Sequence, residues 1–326
     1  MSVENESSRK EIEILRILSE FDSPVGSTLL KRELRKRGFL LSERTVRYHL
    51  LLLETKGFLL GHNQRGRTIT KKGLEELSRS LATQRLGFTT TRFMSLAYSA
   101  TYNPQTDLGT IVANVSIFDK QLRDQTLETI KALHKMNLLS APYIKLINEK
   151  EEFCEISVPE GKIALFTVCN LTIDGILIHS GIPLSFECGG LVQIVNHKPI
   201  RFAEIVSYKG TTIPPLDVFV HKRMTSITRI LKTGSGMLLA TLREIPAEAR
   251  EKTAQILENQ KKKGWEGILV LGEPNEPILG VPVGMDRFGV CMVGGIVPAA
   301  AMVEKGAEIF TSAPHCLVPI KEMTNI

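Results

Sequence analysis

Residues 42–72 read SERTVRYHLLLLETKGFLLGHNQRGRTITKK. Ser42 stands where a helix N-cap belongs, since its hydroxyl can accept from an otherwise unpaired N–H of the first turn. Val46, Leu50 and Leu53 follow at the spacing of one helix face and predict an inward apolar stripe. The same periodicity turns Arg44, Arg47 and Tyr48 to the opposite side, with Thr45 beside them. Gly57 is the expected terminator, because glycine takes positive φ without steric cost. Phe58–Leu60 and Thr68–Thr70 then read as short strands around the turn Asn63–Gly66. That turn places Arg65 and Arg67 at the tip of a ribbon. Helix, cap and basic ribbon together predict a winged helix-turn-helix. Its recognition helix would enter a major groove, and its wing would lie over the backbone of double-stranded DNA. Ser42, Arg44, Thr45, Arg47, Tyr48, Arg65 and Arg67 are the expected DNA contacts. Units of this kind also serve as dimerisation or protein-binding modules. Leu51 and Leu52 face outward late in the helix and suit packing under the wing or against a partner.

Working outward, residues 9–22 carry Ile14, Leu15, Leu18 and Phe21 at helical spacing, and Ser23–Gly26 break the pattern. Ser27 is expected to cap a second helix over 28–37, stopped by Gly38. Residues 74–85, with Leu74, Leu77 and Leu81, form a further amphipathic stretch, either a connector or part of a dimer contact. Charge marks off this module. Residues 1–85 hold 17 basic and 11 acidic side chains, whereas residues 86–326 hold 24 of each. The whole net charge of +6 therefore lies in the first module, the electrostatic footprint of a nucleic-acid binder joined to a neutral domain.

From residue 86 strands and helices alternate, and two segments resemble each other. Gly109-TIVANVSIF leads into a helix over 119–137, and Gly236-MLLATLREI into one over 246–264, with Arg123 and Arg250 at matching places. A second match pairs Gly181-IPLSFECGGLVQI with Gly280-VPVGMDRFGVCMV. The expected fold is α+β: a winged helix over 1–85, then an α+β effector domain over 86–326 built as a pseudo-twofold duplication. Between the halves lie Tyr208-Lys209-Gly210-Thr211-Thr212, Arg223, Thr225 and Ser226. Glycines beside hydroxyls and arginines suit a small anion, through amide and hydroxyl donors and the guanidinium fork. The same residues also suit ordinary connecting loops.

The five cysteines are scattered without a CxxC pair and read as free thiols in a reducing compartment. The adjacent His315 and Cys316 make poor metal geometry, and His179, His197 and His221 lie in strand-like apolar surroundings that suit structural roles. No nucleophile elbow, phosphate loop or dinucleotide fingerprint is present, so neither catalysis nor a cofactor or metal is expected. The chain begins without a signal peptide and holds no run long enough to span a bilayer, so a soluble cytoplasmic protein is expected.

Residues 86–320 resemble the effector domain of the NrpR family, archaeal nitrogen-regulatory repressors. The resemblance rests on Gly189-Gly190-Leu191-Val192-Gln193-Ile194, on Tyr208-Lys209-Gly210-Thr211-Thr212-Ile213 with Leu216, Val218 and Phe219, and on Met224-Thr225-Ser226. It extends through Thr233-Gly234-Ser235-Gly236, Arg243-Glu244-Ile245-Pro246-Ala247 and Gly280-Val281-Pro282-Val283. The chain departs from the family pattern at Pro214, where the family usually has Asp or a similar residue, and at Arg223, where it usually has glycine. The resemblance implies a repressor of nitrogen-assimilation genes that binds an inverted-repeat operator as a homodimer and is released by 2-oxoglutarate. Family members carry one or two effector domains, so a second copy could come from a partner subunit. The expected effector contacts are Arg201, Gly210, Thr211, Thr212, Arg223, Thr225 and Ser226. Two other readings stay open at this point: an enzyme with an appended winged helix, and a regulator that reaches DNA only through a partner.

Overall fold

The computed structural model describes residues 3–21, 23–84 and 89–326, and side chains of 10–21, 23–63, 65–77 and 89–326. The expected boundary at residues 85 and 86 and the side chain of Leu81 lie outside these. The chain divides into two units, Met1–Leu86 and Gly87–Ile326.

In the first unit α1 (Val3–Ser19), α2 (Ser27–Lys36) and α3 (Glu43–Thr55) precede the ribbon of β1 (Leu59–Gly61) and β2 (Arg67–Ile69), and α4 (Lys71–Gln84) closes it. Val46, Leu50 and Leu53 are fully buried against Ile14, Leu18, Leu30 and Leu34, and each such side chain contributes about 1.5–3 kcal/mol. Ser42 Oγ accepts from Thr45 N at 3.1 Å, and Gly57 takes φ +76° after the last turn. Ser27 is not the cap of α2. Gly26 holds that position, and the Ser27 hydroxyl donates to Glu43 Oε1 at 3.2 Å. Gly73 lies inside the first turn of α4 rather than before it, and a Cβ there would stand 2.2 Å from Phe58 O.

The second unit opens with α5 (Thr89–Ser99). Its first half runs β3 (Thr110–Asp119), α6 (Arg123–Lys135), β4 (Tyr143–Ile147), a small hairpin of β5 (Glu152–Phe153) and β6 (Ile156–Ser157), β7 (Lys162–Val168) and α7 (Leu171–His179). Next come β8 (Ser185–Val195), β9 (Lys198–Ser207), α8 (Pro215–His221) and α9 (Ile227–Thr233). The second half runs β10 (Gly236–Pro246), α10 (Arg250–Lys261), β11 (Ile268–Leu271), β12 (Arg287–Val293) and α11 (Val297–Glu304), followed by β13 (Phe310–Pro319) and β14 (Thr324–Asn325). The strands form two five-stranded sheets, ordered β11-β12-β10-β8-β9 and β13-β3-β7-β4-β14.

The register fixes how the halves correspond. Ala113 on β3 pairs with Val168 on β7, as Ala240 on β10 pairs with Val293 on β12. After its second helix each half sends a strand into the other half's sheet. β8 pairs antiparallel with β10, and β13 pairs antiparallel with β3. The first expected match therefore holds, with Arg123 and Arg250 each opening a helix. The second does not. The strand at 185–195 corresponds to 310–319, and the one at 287–293 corresponds to 162–168. Gly/Pro/Val patterning specifies a buried strand but not its partner across the sheet. Exchange also merges the cores: Phe166, Phe186 and Phe288 share one buried cluster, and Phe118, Leu191 and Leu238 share another.

Candidate functional site

The exposed face of α3 carries Arg44, Arg47 and a Tyr48 that is 62% exposed. Arg44 and Arg65 have no partner among the described residues. Arg47 is held: its Nη2 donates to Glu43 Oε1 at 2.5 Å and its Nε to Ser27 Oγ at 3.4 Å. The Arg47 bond and, after it, the one from Ser27 Oγ keep the Glu43 carboxyl below its usual range. Thr45 Oγ1 lies 2.8 Å from Ser42 Oγ, inside the cap itself. Leu51 is 59% exposed and Leu52 half-buried. Arg67 flanks the turn of the ribbon, in the ladder pair with Gly61, but it is held: it exchanges backbone bonds with Val25 and donates from Nε to Glu54 Oε2 at 2.8 Å. Gly66 makes that approach possible, since a Cβ there would fall 2.4 Å from Val25 O.

In the second unit the seven expected effector contacts are dispersed. Arg201 lies on β9, with Nε donating to Gln193 Oε1 at 3.0 Å. Gly210 (φ +80°) and Thr212 are exposed. Thr211 folds onto its own loop through Ile213 O at 3.0 Å, and its carbonyl takes both Thr89 N at 2.9 Å and Thr89 Oγ1 at 3.0 Å. Arg223 stands at φ +51°, a left-handed position, which gives the family's glycine there a backbone reason. Thr225 and Ser226 are already committed. The Glu304 carboxylate at the end of α11 accepts from Thr225 Oγ1 (2.6 Å), Ile227 N (2.7 Å), Thr228 N (2.7 Å) and Thr228 Oγ1 (2.6 Å). Ser226 Oγ accepts from Met237 N at 2.6 Å. An internal carboxylate thus fills the nest that composition suggested for a ligand.

His179, His197 and His221 are not in strands: His179 and His221 end α7 and α8, and His197 stands at φ +64° in the β8–β9 turn. His315 Nε2 lies 3.1 Å from Cys154 O.

The polar interior lies elsewhere. Arg243 on β10 and Asp174 on α7 are 1% and 0% exposed. Arg243 donates to both Asp174 carboxylate oxygens, from Nε at 3.0 and 3.1 Å and from Nη2 at 2.9 Å. Burial opposes the Arg243 charge, but Asp174 outweighs it and holds the guanidinium protonated. The guanidinium carbon sits 4.4 Å from the Phe186 ring centre and 5.7 Å from that of Tyr208, a cation–π sandwich under the loop that follows β9.

Beside it, a cavity of about 30 Å³ is lined by Asn114, Cys169, Asn170, Thr241, Gly295 and Tyr208, and roofed by Pro214–Asp217. None of the seven expected effector contacts lines it. Asn170 Nδ2 donates to Thr241 Oγ1 at 2.8 Å. Asn114 is 1% exposed, and neither its amide nitrogen nor its oxygen has a hydrogen-bond partner. A buried polar group left so costs about 1–3 kcal/mol. Burial pushes the neighbouring Cys169 thiol up to about 12, so it stays neutral and offers the amide no charge. Asp217, in the roof, has its carboxyl raised to about 6 by burial, with His221 and Arg92 pulling the other way. Sequence reasoning missed Asn114 and Thr241. Their signal was a polar residue at the same place in two otherwise apolar strands. A larger cleft of about 740 Å³ opens between α10 and Thr101–Gln105, with Lys262 and Lys263 on its wall. Lys263 Nζ already donates to Pro104 O.

Among the described residues no helix is long and apolar enough to cross a membrane. Comparison with known proteins covers both units. The profile of the NrpR regulatory domains NRD1 and 2 matches residues 86–325, and that of the ribonuclease R winged-helix domain matches residues 12–77. Global nitrogen regulator NrpRI of Methanosarcina mazei is 39% identical over 318 residues, 98% of each chain. Global nitrogen regulator NrpR of Methanocaldococcus jannaschii is 36% identical over 296 residues, 91% of this chain and 51% of that protein. Its Methanococcus maripaludis counterpart is 27% identical over 316 residues, 96% of this chain and 54% of that protein. A crystal structure of a nitrogen repressor-like protein from Methanococcus jannaschii superposes with a TM-score of 0.62 at 26% identity, covering 72% of this chain and 97% of that one. With its regulatory domain matched nearly end to end and a relative alike over almost its full length, the chain belongs to the NrpR family of nitrogen regulators.

Proposed function

We propose that the chain is a transcriptional repressor of nitrogen-assimilation genes. It binds an inverted-repeat operator as a homodimer through its winged helix, and 2-oxoglutarate releases it. The observation that carries the DNA side is α3: Ser42 caps it, and Arg44, Arg47 and Tyr48 stand exposed along it. The confinement of the basic excess to residues 1–85 supports the same reading. The nitrogen role and the effector rest on the family. The chain spans nearly all of the M. mazei regulator but about half the length of the other two relatives. A partner subunit that brings a second regulatory domain is part of the same reading.

Fluorescence anisotropy with an operator duplex tests the DNA face. Arg44→Ala should cost about 1–3 kcal/mol and relax operator preference, as loss of a base contact does. Arg65→Ala should weaken all duplexes alike and flatten the salt dependence, as loss of a phosphate contact does. Arg67, tied to Glu54, has a smaller direct share. Titrations left unaltered by both Arg44→Ala and Arg65→Ala would remove α3 and the wing tip from the interface.

A further inference from the structure

The two halves differ at one pair of equivalent turns. After β7, the Asn170 carboxamide crosses to β10, donating to Thr241 Oγ1 at 2.8 Å and to Val293 O at 3.4 Å. The register makes Asn114 the counterpart of Thr241, and Val168 that of Val293. The residue that should complete the second set is Gly295. A Cβ built there stands 2.6 Å from Asn114 Nδ2 and 3.4 Å from Val168 O, so a side chain at this place would address the counterparts of what Asn170 binds. Gly295 has none. The unpartnered amide of Asn114 is what that absence leaves behind.

The free valences converge on the cavity. Asn114 offers an N–H donor beside an acceptor. Thr241 accepts from Asn170, so its own hydroxyl proton is free to donate. A group with carbonyl-type oxygens satisfies Nδ2 and Thr241, and an attached N–H or O–H satisfies Oδ1. The space, about 30 Å³, exceeds what one water needs and is small enough that only a head group enters it.

We propose that this cavity seats the carboxyl or carboxamide head of a small metabolite, which takes the place of the side chain that residue 295 lacks. The rest of the ligand lies under the loop from Lys209 to Pro214 together with Pro215 and Leu216, which open α8. That segment rests on glycines: Pro215 Cβ and Leu216 Cδ2 lie 3.1 Å from where a Cβ of Gly189 would be, and Leu216 Cδ1 lies 2.8 Å from that of Gly294. Apart from the Thr89 bonds to Thr211 O and the ion pair of Lys209 Nζ with Glu187 Oε2 at 2.7 Å, this seating is van der Waals contact, so the loop lifts as a flap when a ligand enters. Only the choice of 2-oxoglutarate as occupant rests on the function proposed above.

Calorimetry on the full chain tests it, with 2-oxoglutarate, glutarate and the neutral diamide glutaramide as probes. Wild type should bind at least one of them. Gly295→Asn, which supplies the missing carboxamide, and Thr241→Val, which removes a donor, should each weaken that binding tenfold or more. Gly295→Asn needs a small adjustment: Gly295 is not at positive φ, the nearest atom, Asn114 Nδ2 at 2.6 Å, ends a side chain that can turn, and Cys169 Cα at 3.2 Å must give by a few tenths of an ångström. Thermal melts check folding, and Asn114→Asp is a third variant should one fail. Binding of glutarate or glutaramide that depends on Asn114 and residue 295, with none of 2-oxoglutarate, keeps the cavity and rejects the effector. Binding of 2-oxoglutarate unchanged in the cavity variants but weakened by Lys262→Gln puts the ligand in the open cleft and overturns the proposal, while the effector stands. No binding of any probe to wild type overturns it as well.

Discussion

The two halves of the regulatory domain share a skeleton and differ in what fills it. β10 carries Arg243 where β3 carries Ser116, and α7 carries Asp174 where α11 carries Ala299. One of the two equivalent contacts between the halves is therefore pinned by a buried ion pair, and the other packs small neutral residues at the same places. The turn after β7 closes on β10 through Asn170, whereas the turn after β12 leaves Asn114 open at Gly295. Even the last residues of the second helices part ways. His179 ends α7, and Glu304 ends α11 with four hydrogen bonds to the start of α9. Duplication supplied a frame of two exchanged strands, and the chemistry sits where the copies stopped matching.

Three substitutions probe that asymmetry, in order of size. Asp174→Ala strips the partner from a guanidinium that is 1% exposed and should cost about 3–5 kcal/mol in urea unfolding. Combining it with Arg243→Met should recover much of the loss, since the penalty is the orphaned charge. A single variant no less stable than wild type would mean the pair does not pin the two halves together. Glu304→Ala leaves two N–H groups and two hydroxyls of α9 unsatisfied, and about 2 kcal/mol of destabilisation is expected by the same method. Loss at the level of a surface substitution would show that α9 caps itself without α11. The smallest effect is at the roof of the cavity. Asp217 has a folded carboxyl raised to about 6, so the fold favours its protonated form. Its contribution is full below the unfolded value near 3.8 and is lost as pH rises through about 6. Asp217→Asn should therefore raise stability by about 1–2 kcal/mol at pH 7 and by almost nothing at pH 4. Melting curves across that range check it, and a benefit independent of pH would contradict it.

What was legible in the sequence was local. The cap at Ser42, the stripe Val46–Leu50–Leu53 and the stop at Gly57 all act within one helix, so periodicity and side-chain chemistry sufficed. The strand–helix repeat was legible for the same reason. Strand exchange was not: β8 and β12 flank the same strand β10 from opposite sides, and both read as glycine-rich apolar runs. The effector contacts were chosen as exposed donors near glycines, but a hydroxyl does not announce its acceptor. Thr225 bonds to a carboxylate on α11, far along the chain. Arg67 flanks the ribbon turn, and its partner Glu54 lies back on α3, a tie that local spacing does not show.

The central claim is that one chain couples a small-molecule site to an operator-binding winged helix. Linkage makes this measurable: if 2-oxoglutarate weakens operator binding by some factor, operator must weaken 2-oxoglutarate binding by the same factor. The direct measurement is the operator dissociation constant of the wild-type chain by fluorescence anisotropy, without and with millimolar 2-oxoglutarate at fixed salt. The account predicts a loss of affinity of roughly 5–150-fold, the usual range of allosteric coupling. An operator affinity unchanged by the metabolite, in a protein that binds the duplex specifically, would contradict it.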